Sequence, residues 1–185
     1  MRVLVTGAEN AYGQAIVREL AKAGHAVRVF GGDERVLETF EGVGPGIVSW
    51  FPGNVHIAGQ IEPALSERQA LVHAHPMDEP ASGKRAELKT HVMHLERGAR
   101  YARFGAEREQ VDHFILVTPG TPDRRLALAH ENVVAEVRRT RGVINVQVVT
   151  ATSEPEAAGR DVARILQSLP ELGKQPGREN DAVTA

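Results

Sequence analysis

The amino-acid sequence predicts an α/β domain built on a doubly wound parallel sheet. Three observations lead there. Short apolar runs recur along the chain, several of them continuous rather than alternating, as strands covered on both faces require. Between the runs lie stretches with apolar residues at helical spacing. Directly after the first run comes a glycine-bearing turn that leads into a helix. Strand, helix, strand, repeated, implies right-handed crossovers and helices on both faces of one sheet.

In chain order, the runs are Val3-Leu4-Val5, Ala26 to Phe30, Ile47 to Trp50, Ala70-Leu71-Val72, Phe114 to Val117 and Val143 to Val149. The first helical stripe is Ile16, Val17, Leu20 and Ala21. Gly42 to Gly46 reads as a turn before the third strand, and Pro76 to Gly83 as a polar loop after the fourth. Leu88, Val92, Leu95, Ala99 and Ala102 form the second stripe. Val133, Val134 and Val137 mark the third, and Val162, Ile165, Leu166 and Leu169 the fourth. Residues 1–172 are expected to form one domain, and residues 173–185, with a single sizeable apolar side chain, a flexible C-terminal tail.

Composition narrows the function classes. The 185 residues hold 42% hydrophobic and 25% charged residues with a net charge of -2, which argues against a dedicated nucleic-acid binder. The absence of cysteine removes disulfides, thiolate zinc ligands and a thiolate nucleophile. No apolar run reaches membrane-spanning length, and the N-terminus opens on a strand pattern rather than a leader, so a cytoplasmic protein without membrane contact is expected. Charge is uneven: residues 1–83 carry 6 basic and 10 acidic groups, residues 84–141 carry 12 and 8. The basic middle reads as a solvated helix face or as a surface for an acidic partner.

The stretch Val3-Leu4-Val5-Thr6-Gly7-Ala8-Glu9-Asn10-Ala11-Tyr12-Gly13 is the most informative. Gly7 permits a tight turn, Gly13 lets the helix pack close to the sheet, and the helix N-terminus near Tyr12 suits a pyrophosphate. This stretch resembles the start of the short-chain dehydrogenase/reductase superfamily, whose extended members carry TGxxGxxG where this chain has TGxxNxxG. Asn10 replaces the middle glycine. It tolerates φ > 0 better than other side chains, and it crowds the place where backbone should approach phosphate. Ala23-Gly24-His25-Ala26-Val27 resembles the superfamily's entry to its second strand, and Gln69 to His75 its fourth strand. His113 to Thr118 resembles its fifth.

The resemblance implies a Rossmann-like sheet of order 3-2-1-4-5-6 and a nicotinamide dinucleotide, NAD or NADP. It implies cofactor contacts from Gly7, Glu9, Asn10, Ala11, Tyr12 and Gly13. Further along it implies Asn54 and Val55 at the adenine, and Ala74 and His75 at the ribose. At the end of the second strand, Gly31 and Gly32 fall where the superfamily has its NAD-selecting acid or NADP-selecting arginine. Asp33 and Arg35 follow just beyond. Asp33 either contacts the ribose or caps the next helix.

The superfamily's proton chemistry belongs to a Tyr-x-x-x-Lys motif on the helix after the fifth strand. This chain has Leu126 to Val133 there, and its tyrosines (Tyr12, Tyr101) and lysines (Lys22, Lys84, Lys89, Lys174) lie elsewhere. Thr118 retains a hydroxyl position, and His130 falls at the lysine position, so an atypical site around these two is the only catalytic candidate. His73 and His75 share a strand face and His91 and His94 a helix face. They read either as a metal-binding group or as a polar pocket rim with surface histidines; no metal is expected. The superfamily's extended members also continue past the sixth strand into a substrate-binding region for which this length leaves no room.

The expectation is therefore a catalytically degenerate dehydrogenase-like domain. It binds, or formerly bound, a nicotinamide dinucleotide and serves as a sensor, scaffold or complex subunit. Some superfamily dimers pair the helices after strands four and five, here about 84–104 and 123–141, so a homodimer or protein partner is expected there. Two alternatives stay open. One is an active oxidoreductase or epimerase working through Thr118 and His130. The other is a pure interaction module whose glycine loop is only structural.

Overall fold

The computed structural model describes residues 1–74, 85–120, 124–139, 145–151 and 154–169, without side chains for 85–87 and 119. The strands are β1 (Arg2–Thr6), β2 (Ala26–Phe30), β3 (Val48–Phe51), β4 (Ala70–Ala74), β5 (His113–Pro119) and β6 (Asn145–Ala151). They form one sheet in the order β3-β2-β1-β4-β5-β6, every pair parallel. The order reverses beside β1, which leaves a crevice outside the carboxyl ends of β1 and β4.

The helices are α1 (Ala11–Lys22), α2 (Glu62–Leu65), α3 (Arg85–Arg108), α4 (Arg124–Val137) and α5 (Pro155–Ser168), with a 3₁₀ helix at Glu34–Phe40. All four helical stripes of the sequence fall on α-helices, except that Leu169 of the fourth is the C-cap just beyond α5. Leu95, Ala99 and Ala102 of the second stripe are buried, and Val92 is half-buried. The short α2 has no such stripe in its four residues; Ile61, Ala64 and Leu65 bury it against α3. β6 begins at Asn145, and Val143 lies outside the described residues, as do the 76–83 loop and the 173–185 tail.

The continuous apolar runs work because a strand sends successive side chains to opposite faces. Val3 and Val5 enter one core, with Ile16, Val17 and Leu20 of α1 and Val162 and Leu166 of α5. Leu4 between them enters the other, with Leu65, Ala99, Ala102, Phe114, Leu116 and Val133. Each fully buried aliphatic side chain contributes about 1.5–3 kcal/mol of hydrophobic stabilisation. On the first face α5 lies tight on α1: a Cβ at Gly159 would sit 2.7 Å from the Ala15 carbonyl oxygen. Among the described residues no helix is long and apolar enough to cross a membrane.

Candidate dinucleotide cleft and a second cavity

The β1–α1 loop is built on its two glycines. Gly7 has φ +82°, and a Cβ there would lie 2.5 Å from the Ala74 carbonyl oxygen. A Cβ at Gly13 would lie 2.0 Å from the carbonyl oxygen of Gly7. Neither position accepts a side chain, so the loop keeps the closed turn that a phosphate cradle uses.

Asn10 does something different from what its tolerance of positive φ suggests. Its backbone is extended, with φ -104° and ψ 163°, and it is the N-cap of α1. Gly13 N–H donates to Asn10 Oδ1 at 2.9 Å. The side chain therefore takes up one of the helix-terminal donors that an anion would otherwise use. Glu9 and Ala11 are exposed beside it, and Tyr12 is half-buried.

The second-strand end shows the same inward turn. Gly31 and Gly32 have φ +88° and +67° and carry no selector. Asp33 caps the 3₁₀ helix by accepting from Arg35 N–H at 2.9 Å. Its carboxylate also accepts from the Arg35 guanidinium at 3.0 and 2.7 Å. The guanidinium holds the Asp33 carboxyl down at about 2. Trp50 Nε1 donates to the Gly31 carbonyl at 3.0 Å and fixes this turn to β3. At the third-strand end, Asn54 Oδ1 accepts from His56 N–H at 2.8 Å, and Asn54 N–H donates to Gln60 Oε1 at 2.8 Å.

Between these parts lies a cavity of only about 20 Å³, lined by Thr6, Gly7, Glu9, Val55, His56, His73, Ala74, His94 and Gly98. Thr6 and His73 are register partners on β1 and β4 and share a buried hydrogen bond of 2.6 Å. Burial, with His56 nearby, pushes the His73 imidazole down to about 3, so it stays neutral. His56 stacks on His94, their rings 5.0 Å apart and 29° from parallel. The histidines group differently from the sequence pairing: His56, which no motif marks, joins His73 and His94. His91 is described but does not line this cavity, and His75 lies outside the described residues. Among the described residues no group of three or more His, Asp or Glu is placed to hold a metal ion.

A second, larger cavity of about 400 Å³ opens between α4 and the carboxyl ends of β5 and β6. Thr118, Thr150, His130, Glu131, Val134 and Arg138 are among its lining. Thr118 and His130, paired by sequence, do meet at one cavity, and both are buried. Leu126, at the tyrosine position of the motif, is also buried.

No protein-family model and no curated protein matches the chain. Solved structures do. A Bacillus halodurans protein assigned as an NAD-dependent epimerase/dehydratase aligns with TM-score 0.70 and 19% identity over 91% of this chain and 88% of its own. An alcohol dehydrogenase from Thermococcus sibiricus, complexed with 5-hydroxy-NADP, aligns with TM-score 0.66 and 15% identity over 91% of both chains. A Sinorhizobium meliloti protein assigned as a short-chain dehydrogenase/reductase gives TM-score 0.65 and 19% identity over 90% of this chain and 88% of its own. Other matches are longer: the chain spans 48% of Pen from Bacillus thuringiensis. At these identities the likeness is one of fold. The chain has the Rossmann-like architecture found in these proteins. Since it spans 91% of the alcohol dehydrogenase, its length is no argument about turnover.

Proposed function

We propose that this chain is a dehydrogenase-like domain that holds a nicotinamide dinucleotide weakly, turns over no substrate, and serves as a sensor, scaffold or complex subunit. The observation that carries the proposal is the self-capped glycine loop. Gly7 and Gly13 keep the turn, while Asn10 Oδ1 occupies the Gly13 N–H. Asp33 and Asn54, the next groups along the cleft, also have internal partners. A ligand must exchange these bonds for its own. Each exchange forfeits roughly 0.5–1.5 kcal/mol, so three weaken binding by about two orders of magnitude. Against turnover stands α4, which presents no Tyr or Lys in residues 124–137.

Calorimetric titration with NAD, NADH, NADP and NADPH tests this. Weak binding is expected, with no steady oxidation of the reduced cofactors by simple aldehydes, ketones or nucleotide sugars. Asn10→Gly is the informative variant. It loses only a few tenths of a kcal/mol of cap stability and frees the Gly13 N–H. Its affinity should rise about three- to tenfold. If neither protein gives heat with any dinucleotide, the interaction-module reading replaces this one.

The shared cavity of Thr118 and His130 favours a second reading, an oxidoreductase or epimerase with a rebuilt site. In that case His130→Ala abolishes turnover and leaves cofactor affinity unchanged; surviving activity overturns the assignment. For the scaffold role, the partner surface we propose is the outer side of α3 and α4. There Met93, Phe104 and Leu128 are 43%, 41% and 58% exposed. A homodimer through this surface is the simplest form.

A further inference from the structure

Three groups of side chains outside the glycine loop stand out: the exposed apolar side chains of α3 and α4, the α4–β6 cavity, and the imidazoles over β1 and β4. The last carries an inference furthest. His56 sits on the segment that leaves β3 and crosses the carboxyl end of the sheet, and His94 sits on α3. Their stack is the ring contact that ties these two elements across the cleft. Gly98, one helical turn beyond His94, makes the approach possible. A Cβ there would lie 3.3 Å from His56 Cε1 and 3.5 Å from His73 Cε1. The closed pair reduces the cleft to about 20 Å³, less than any dinucleotide moiety needs.

We propose that the His56–His94 stack is a proton-released latch, which holds the 52–60 segment on α3 and opens the cleft when the His56 imidazole takes up a proton. A proton on His56 would set a buried cation against the His94 ring, with Arg97 close by. Burial, then His94 and Arg97, hold the His56 imidazole below its ordinary value. His56 Nδ1 is buried with no hydrogen-bond partner among the described residues, so a proton there finds no acceptor.

The other groups facing His56 act consistently. Arg97 on α3 adds repulsion. His73 on β4 stays neutral. Glu9 on the β1–α1 loop is the one carboxylate in the described lining, and it is exposed, so water screens it. A group held below its ordinary value contributes stability above that value. The closed form is therefore fully held above about pH 6.5 and is lost as pH falls through the histidine range.

The latch stands on this geometry alone; its consequence for ligand entry rests on the dinucleotide proposal. The test uses the full chain without ligand. Amide hydrogen exchange is followed at His56 and Ile57, whose N–H groups are bonded to Asn54. With intrinsic rates corrected, their protection should drop about tenfold between pH of about 7.5 and 5.5. His94→Ala should show the low protection at both pH values. His94→Phe, which keeps a ring and removes the His94 repulsion while His56 stays buried, should show a smaller drop. His94 is exposed, so both variants should fold. Protection independent of pH in the parent chain, or unchanged in His94→Ala, overturns the proposal. A second arm titrates NAD at both pH values. Tighter binding at low pH, lessened in His94→Phe, supports the gate. A pH-dependent latch with no NAD binding at either pH leaves the latch standing and removes the dinucleotide proposal instead.

Discussion

The two cavities at the carboxyl end of the sheet are opposites. The cleft over β1 and β4 has the glycine loop, yet Asn10 takes up the Gly13 N–H, Thr6 bonds His73, and its volume is about 20 Å³. The cavity between α4 and β6, beside a helix without Tyr or Lys, is open and spans about 400 Å³ lined with hydroxyls, an imidazole, a carboxylate and a guanidinium. The fold itself needs the glycines of the first cleft: Gly13 packs directly on Gly7, where a Cβ would lie 2.0 Å from the carbonyl oxygen.

The sharpest break in this comparison is Gly13→Ala. Its Cβ would meet the Gly7 carbonyl at 2.0 Å, backbone that cannot step aside without moving α1 off the sheet. A loss of about 3 kcal/mol or more is expected in urea or thermal unfolding of the ligand-free chain. If the glycine served only a ligand, stability would hardly change. At the open cavity, Ala135→Ser is exposed and should stay within about 0.5 kcal/mol of the parent.

How much of this was legible in the sequence follows from the same contrast. Parallel strands and the helical stripes were, because continuous apolar runs such as Val3-Leu4-Val5 suit strands covered on both faces, and the strand order came with the resemblance of the glycine loop and the strands after it. The two glycines were, since a turn between a strand and a close-packed helix excludes side chains. The inward bonds were not. Asn10 reads as a conformational substitute for glycine, whereas its role depends on one hydrogen bond to Gly13 N–H. For Asp33 both the ribose contact and the cap were legible, and the cap is what the structure has. His56 carried no signal at all, because its partner, His94, is 38 positions away on another element.

A middle-sized effect concerns the floor of the closed cleft. His73 is neutral and buried, its ordinary 6.5 pushed down to about 3. The unfolded chain therefore binds a proton that the folded chain refuses between those values. The stability this histidine contributes is full above about pH 6.5 and falls as pH drops toward 3, by at most about 1.4 kcal/mol per pH unit. His73→Phe should flatten that part of the stability profile, measured by urea unfolding at several pH values. Thr6→Val, which removes the hydroxyl from the 2.6 Å hydrogen bond, should cost about 1–3 kcal/mol near neutrality. An unchanged acid slope in His73→Phe would assign the loss of stability to other groups.

The smallest effect tests whether the rim of the closed cleft is sealed by choice of partner or by shape. Asp33 and Arg35 are both exposed, so Arg35→Ala should leave the unfolding midpoint where it is. What should move is the Asp33 carboxyl, from about 2 back toward its ordinary 3.8, read by NMR titration of its side-chain carbon. The freed carboxylate then faces whatever occupies the second-strand end. If the cleft admits a dinucleotide, Arg35→Ala should favour NAD over NADP, since an acid there accepts from ribose hydroxyls and repels a 2′-phosphate. Binding ratios unchanged by the substitution would place the ribose away from Asp33. The glycine pair Gly31-Gly32, rather than the displaced acid and arginine, would then set the cleft's cofactor preference.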